Sequence, residues 1–286
     1  MTQPHGRFKG IYNEVVRRRY SLPGADALYG ALVIASVGLI SAAATSCVVG
    51  RDHGSMSLDN VNSSASTAPI LLFNSTGAST NDVAAVQAIL KNNHLSYSSV
   101  TSGELNRMDE SQLRRYRLLI VPGGNFVEIG KTLSPNATAN IRKAVQDGLN
   151  YLGICAGAFL AGSYDPPYNG LNLTSGVRFG FYAAEGHGIR KAAVPIAVAG
   201  EPTLEQYWED GPEFTGWGAV IGTYPNGTPA IVEGTFGGGW IVLSGVHPEA
   251  PANWRHGMTF NTPAEADNAY AGTLIRAALN RISLAH

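Results

Sequence analysis

Cysteine is almost absent from this chain. There are two in 286 residues, Cys47 and Cys155, which excludes a disulfide-stapled scaffold. Excess charge of one sign is also lacking. Twenty basic residues face twenty-one acidic ones, for a net charge of -1, so nothing argues for nucleic acid as a partner. No phosphate-binding G-x-x-x-x-G-K-[ST] loop and no dinucleotide fingerprint occur. His187, His247 and His256 lack the tight spacing of a metal cluster. These absences leave no cofactor and no metal to expect. No internal repeat is seen. The length allows one or two domains, and the 34 glycines with a modest charged fraction fit a compact α/β protein with many tight turns.

The N-terminal part has its own character. Residues 1–26 contain Lys9, Arg17, Arg18 and Arg19, and an uncharged run follows from Ala27 to Gly50. That run is long enough to span a bilayer as a helix. Basic residues before it place the N-terminus in the cytoplasm and the rest outside. A retained signal anchor is the first reading. Ser41-Ala42-Ala43-Ala44 offers small residues for a signal peptidase, Thr45-Ser46-Cys47 has the ending of a lipobox, and Arg17-Arg18-Arg19 loosely resembles a twin-arginine signal. A buried core helix is the remaining alternative. The export readings make the globular part extracytoplasmic, held at the membrane by this helix, or secreted or lipid-anchored if the segment is processed. Residues 51–67 are rich in Ser, Asn and Asp and read as a flexible linker. Sequons at Asn62, Asn74, Asn136, Asn172 and Asn226 matter only in a eukaryotic secretory pathway.

A single α/β domain is expected over 68–286. Pro69–Phe73, Leu95–Val100, Arg117–Val121 and Tyr151–Ile154 read as strands, with helices at Asn81–Leu90 and Ala139–Gly148 between them. This alternation argues for a parallel sheet covered on both faces. The second half adds strands at Val194–Val198, Ala219–Thr223, Pro229–Glu233 and Trp240–Ser244, an antiparallel extension, and then a helix at Ala264–Ile282. Residues 224–228 form a turn.

Three segments carry chemistry. In Gly153-Ile154-Cys155-Ala156-Gly157 a cysteine sits between small residues where a strand gives way to a helix, the setting of a nucleophile elbow. A helix N-terminus favours the thiolate. Gly123-Gly124 ends the preceding strand. His247-Pro248-Glu249 follows the last strand, and residues two apart on extended chain face the same way, so Glu249 can orient the His247 ring. In a parallel sheet the C-terminal strand ends share one edge, where ligands bind. Cys155, His247 and Glu249 are thus candidate nucleophile, proton carrier and orienting acid. Gly123, Gly124, Ala156, Gly157 and Phe159 line the candidate oxyanion and substrate pocket. Against this stand plainer readings. A lone cysteine is often a small core residue, His247 can cap a loop, and Trp208, Trp217, Trp240 and Trp254 read as core or rim. Glu185-Gly186-His187 reads as a solvated turn.

These motifs resemble the class I glutamine amidotransferase superfamily. Gly153-Ile154-Cys155-Ala156-Gly157 looks like its nucleophile elbow and His247-Pro248-Glu249 like its histidine and glutamate. Val121-Pro122-Gly123-Gly124, Leu152 to Phe159 and Gly245 to Trp254 are most similar to the biotin–protein ligase N-terminal domain family. The resemblance runs from Pro69 to the C-terminus. It implies a flavodoxin-like α/β sandwich, a mostly parallel sheet and a Cys155–His247–Glu249 triad. It does not imply biotin transfer, since no ligase half is expected after it. True glutamine amidotransferases carry Gln four residues after the cysteine, where this chain has Phe159, and a longer glycine run than Pro122-Gly123-Gly124-Asn125. The expectation is therefore a cysteine-dependent amidase or hydrolase of another amide or small molecule, working through an acyl thioester. The alternative is an inactive ligand- or partner-binding module of the same fold, with a thiol redox sensor as a third reading.

Overall fold

The computed structural model describes residues 68–164, 169–174, 178–182 and 191–286, all within the compact unit Asn62–His286. The basic segment, the uncharged run Ala27–Gly50, the linker and Glu185-Gly186-His187 lie outside the described residues. Among the described residues no helix is long and apolar enough to cross a membrane.

The chain order opens with β1 (Ile70–Phe73), α1 (Thr80–Asn92), β2 (Tyr97–Val100), α2 (Ser102–Leu105), α3 (Glu110–Leu113) and β3 (Leu118–Val121). It continues with α4 (Phe126–Thr132), α5 (Pro135–Gln146), β4 (Asn150–Ile154) and α6 (Ala156–Leu160). Further strands follow: β5 (Arg178–Phe181), β6 (Lys191–Val198), β7 (Leu204–Glu209), β8 (Pro212–Thr215), β9 (Ala219–Thr223), β10 (Pro229–Phe236) and β11 (Gly239–Ser244). The last helix is α7 (Ala264–Asn280).

Among the described residues, nine strands form one sheet in the order β2-β1-β3-β4-β11-β10-β9-β6-β7. The first five are mutually parallel and the rest pair antiparallel. The expected parallel sheet with an antiparallel extension is thus observed. β5 and β8 make a separate two-stranded ribbon. The central strands Ile-Leu-Leu-Phe and Leu-Leu-Ile-Val are buried along their whole length, as strands covered on both faces must be. One face packs Ile70, Leu72, Leu118, Ile120 and Leu152 against Val86 and Leu90 of α1 and Leu274 and Ile275 of α7.

The strands missing from the sequence reading are β5, β7 and β8. β7 reads Leu-Glu-Gln-Tyr-Trp-Glu, with polar residues on both faces, and its Gln206 is fully buried. Its sheet position is imposed by pairing with β6 over Lys191–Ile196. The helices also shift. α5 starts at Pro135 rather than Ala139, because the Ser134 hydroxyl accepts from the Ala137 amide and proline fits the first turn. α7 ends at Asn280, where Arg281 turns left-handed.

The small residues around Cys155 have a packing cause. A Cβ on Gly157 would lie 1.9 Å from the Val121 carbonyl oxygen, and one on Gly153 would lie 2.5 Å from the Gly157 carbonyl oxygen. Backbone meets backbone where α6 leaves the sheet. Gly157→Ala should therefore lower stability by about 1–3 kcal/mol, read as a lower urea midpoint, with the largest local loss of hydrogen-exchange protection in β3 and β4.

Candidate active site

Four adjacent strands, β1, β3, β4 and β11, end at the same edge of the sheet, and each delivers a group there. Cys155 follows β4 directly, and its amide donates to the Ser244 carbonyl of β11 at 2.8 Å. Its backbone takes φ 48, ψ -102, a conformation that L-residues avoid and that functional elbows use. The five-residue α6 begins at the next position.

His247 and Glu249 come from the loop after β11. The His247 Nδ1–H donates to Glu249 Oε1 at 2.9 Å. Nε2 is thereby left available, and the Cys155 sulfur is near enough to act on the charge of the ring. The loop is held from several directions. The His247 amide donates to the Tyr207 carbonyl at 2.8 Å. The Asn268 side chain of α7 donates to the carbonyls of Pro248 (3.0 Å) and Ala250 (3.2 Å). Arg255, in the turn that carries Trp254, is tied to Asp267 of α7 at 2.6 Å.

Gly123 lies against the same ring. A Cβ there would be 2.7 Å from His247 Cε1 and 2.0 Å from Asp82 Oδ1. Gly124 adopts φ 142. Its bridge to Ala78 uses the amides of Ser79 and Asn125 as donors, so the Gly124 amide is not consumed by that pairing. The three segments singled out from sequence therefore converge. Phe159 has a different setting. Its ring stacks on Phe126 at 5.0 Å and touches Phe181 at 4.9 Å, inside an aromatic cluster that includes Phe179.

Asp82 is the residue that sequence reasoning missed. It sits in the first turn of α1, after β1, with Oδ1 3.1 Å from His247 Nδ1. The helical spacing of Val83, Val86 and Ile89 drew attention to the apolar face. The available signal was Ser79 three residues before an acid, on a helix that starts at the ligand-binding edge. Tyr207 and Trp254 complete the surround, with ring centroids 5.8 and 5.9 Å from the imidazole. Beside this lies a cleft of about 360 Å³ lined by Asp82, Lys191, Tyr207, Glu209, Trp254 and His256. Cys155 is not part of that lining. It is 6% exposed, and its Sγ lies 3.6 Å from the carbonyl of Glu209, a residue of the cleft wall.

The charges around the ring reinforce one another. Burial alone disfavours the imidazolium, yet the Glu249 carboxylate, the Cys155 sulfur and Asp82 raise His247 well above its ordinary 6.5. Burial pushes Glu249 up, against the pull of His247. Burial pushes Asp82 up as well, but His247 and Ser79 outweigh it and leave Asp82 lowered. The ligand atoms of Asp82, His247 and Glu249 lie within 4.8 Å of one another, a mixed N/O set of the kind that divalent cations take. Sequence spacing could not bring Asp82 into that set.

Residues 68–171 match the family described as "Biotin-protein ligase, N terminal". That resemblance was expected from the motifs. The matched segment runs from β1 past Cys155, so it takes in Asp82, Gly123 and the elbow, whereas His247 and Glu249 lie beyond it. A solved glutamine amidotransferase is 22% identical, with a TM-score of 0.50, covering 63% of this chain and 90% of that one; it shares the fold. A second glutamine amidotransferase, from Thermotoga maritima, aligns less closely. It is 15% identical, with a TM-score of 0.48, covering 74% of this chain and 96% of that one. No curated protein matches.

A raised imidazole stabilises the fold where it is charged. The stability contributed by the His247 proton should be complete below about pH 6.5 and lost as pH rises through the elevated folded value. Urea unfolding of wild type and His247→Gln from pH 5 to 9 should show the gap between them shrinking toward alkaline pH.

Proposed function

We propose that this domain is a cysteine-dependent amidase or hydrolase acting through an acyl thioester. The observation that carries the reading is the buried His247 ring, with Nδ1 2.9 Å from Glu249 Oε1 and the Cys155 sulfur close enough to act on its charge. In the proposed reaction the Cys155 thiolate attacks the carbonyl carbon of an amide. The oxyanion is met by the amides of Gly124 and Ala156. The C–N bond breaks as His247 gives its Nε2 proton to the departing amine. A water, deprotonated by the now neutral ring, attacks the thioester and releases the acid and the thiolate. Asp82 and Glu249 offset the imidazolium charge throughout.

The neighbouring cleft, which shares Asp82 and Tyr207 with the surround of His247, supports a substrate class. It is small, carries both charge signs through Lys191, Glu209 and Asp82, and has aromatic walls in Tyr207 and Trp254. A polar amide of metabolite size suits it. The uncharged run Ala27–Gly50 supports placing this chemistry outside the cytoplasm, tethered at the membrane.

One observation favours a second reading, an inactive binding module of the same fold. The Glu209 carbonyl lies against Sγ, a position that suits a thiol donor and repels a thiolate. Turnover requires the β7 end to yield or the sulfur to rotate away.

Incubation with an acyl-type electrophile followed by intact-mass analysis separates the two. The hydrolase reading expects one adduct on wild type, none on Cys155→Ser, and labelling slowed at least about a hundredfold by His247→Ala, the usual span of general acid–base catalysis. Thermal stabilisation by small amides without any adduct would instead support the binding module.

A further inference from the structure

The imidazole of His247 has two carboxylates on one nitrogen. Glu249 Oε1 receives the Nδ1–H at 2.9 Å, and Asp82 Oδ1 lies 3.1 Å from the same atom. One N–H cannot point at both. Asp82 Oδ1 is buried and takes no hydrogen bond. A carboxylate oxygen removed from water without a donor is costly unless a cation lies beside it. Among the described residues, the group of that kind in contact with it is the His247 ring.

The position is built. The Ser79 hydroxyl caps α1 by accepting the Asp82 amide at 3.3 Å, so the Asp82 carboxylate is not needed as the cap. The Ser79 amide donates to the Gly123 carbonyl at 3.0 Å, which ties the start of α1 to the loop after β3. Gly123 then lets the carboxylate in, since any Cβ there would fall 2.0 Å from Oδ1. The same residue that faces the nucleophile pocket is thus required to lack a side chain by the Asp82–His247 contact.

We propose that Asp82 is a second positioning carboxylate, which holds His247 as the imidazolium partner of Cys155 together with Glu249. It acts through charge, whereas Glu249 acts through the directed N–H bond. The proposal rests on Cys155 and His247 working as a pair and does not require turnover.

The other groups around the ring leave this role to Asp82. Cys155 approaches from the β4–α6 elbow and Glu249 from the ring's own loop. From β7, Tyr207 keeps its proton and donates it to Glu209 Oε2 at 2.7 Å. Lys191 of β6 and Glu209 line the cleft with opposite charges, and His256 lines it too. The charge nearest Nδ1 therefore comes from Asp82 and Glu249.

The test is the rate of iodoacetamide alkylation of Cys155 from pH 5 to 9, in the full chain, for wild type, Asp82→Asn, Asp82→Glu, Gly123→Ala and His247→Ala. Losing the Asp82 charge should move the profile by about one pH unit, so that alkylation near pH 6 slows about tenfold. Gly123→Ala should shift it the same way with every charge still present, and Asp82→Glu should recover part of the loss. A profile for Asp82→Asn that superimposes on wild type, while His247→Ala changes it, overturns the role of Asp82 alone. Indifference to His247→Ala removes the pair itself, and Asp82's role with it. A readout free of substitutions is the nitrogen NMR spectrum of His247. The ring should remain doubly protonated at pH 8, and a neutral ring there overturns the proposal even if a variant fails to fold.

Discussion

The buried His247 ring, flanked by two carboxylates, is the constraint on which this site depends. His247 is fully enclosed, and an enclosed imidazolium is tolerable only where negative charge is fixed beside it. Glu249 and Asp82 can supply that charge, and they come from opposite ends of the described domain. The loop after β11 and the first turn of α1 must therefore meet with little freedom. Gly123 between them, the Ser79 cap and the Asn268 clamp on Pro248 and Ala250 can all be understood as holding that meeting in place.

The sheet explains why the meeting occurs at all. Four neighbouring parallel strands end at one edge, so one residue after each strand is delivered to a common volume. Parallel order also demands close crossings as the chain leaves each strand. At Gly157 the helix backbone passes the Val121 carbonyl too closely for any side chain. The elbow at Cys155, with its positive φ, follows from that crossing. Chemistry and packing thus place demands on the same few positions. The antiparallel half contributes differently: β7 pairs onto the edge through β6, brings the Glu209 carbonyl against the sulfur, and forms the wall of the cleft.

Much of this was legible in the residues. Apolar runs such as Ile70–Phe73 and Leu118–Val121 could only be covered strands, and the cysteine between glycines marked its own turn. His247 and Glu249 could be paired because two-residue spacing on extended chain needs no tertiary knowledge. β7 stayed hidden because Leu204–Glu209 carries polar side chains on both faces, with Gln206 buried among apolar neighbours. α2 and α3 are single turns held by capping boxes at Thr101 and Asp109, too short for any apolar period to mark. Phe159, read as a pocket residue by its offset from Cys155, packs with other aromatic rings from β5 and α4.

By itself the sequence determined the alternation of elements, the turn at Cys155 and the candidate set Cys155, His247 and Glu249, because periodicity, small-residue spacing and local geometry act over a few residues. Only the tertiary structure decided that Asp82 joins His247 and that Glu209 lies against the sulfur. Those contacts depend on which strands become neighbours, β1 beside β3 and β6 beside β7. That choice is made by burial over the whole sheet and leaves no mark in the spacing of the residues it brings together.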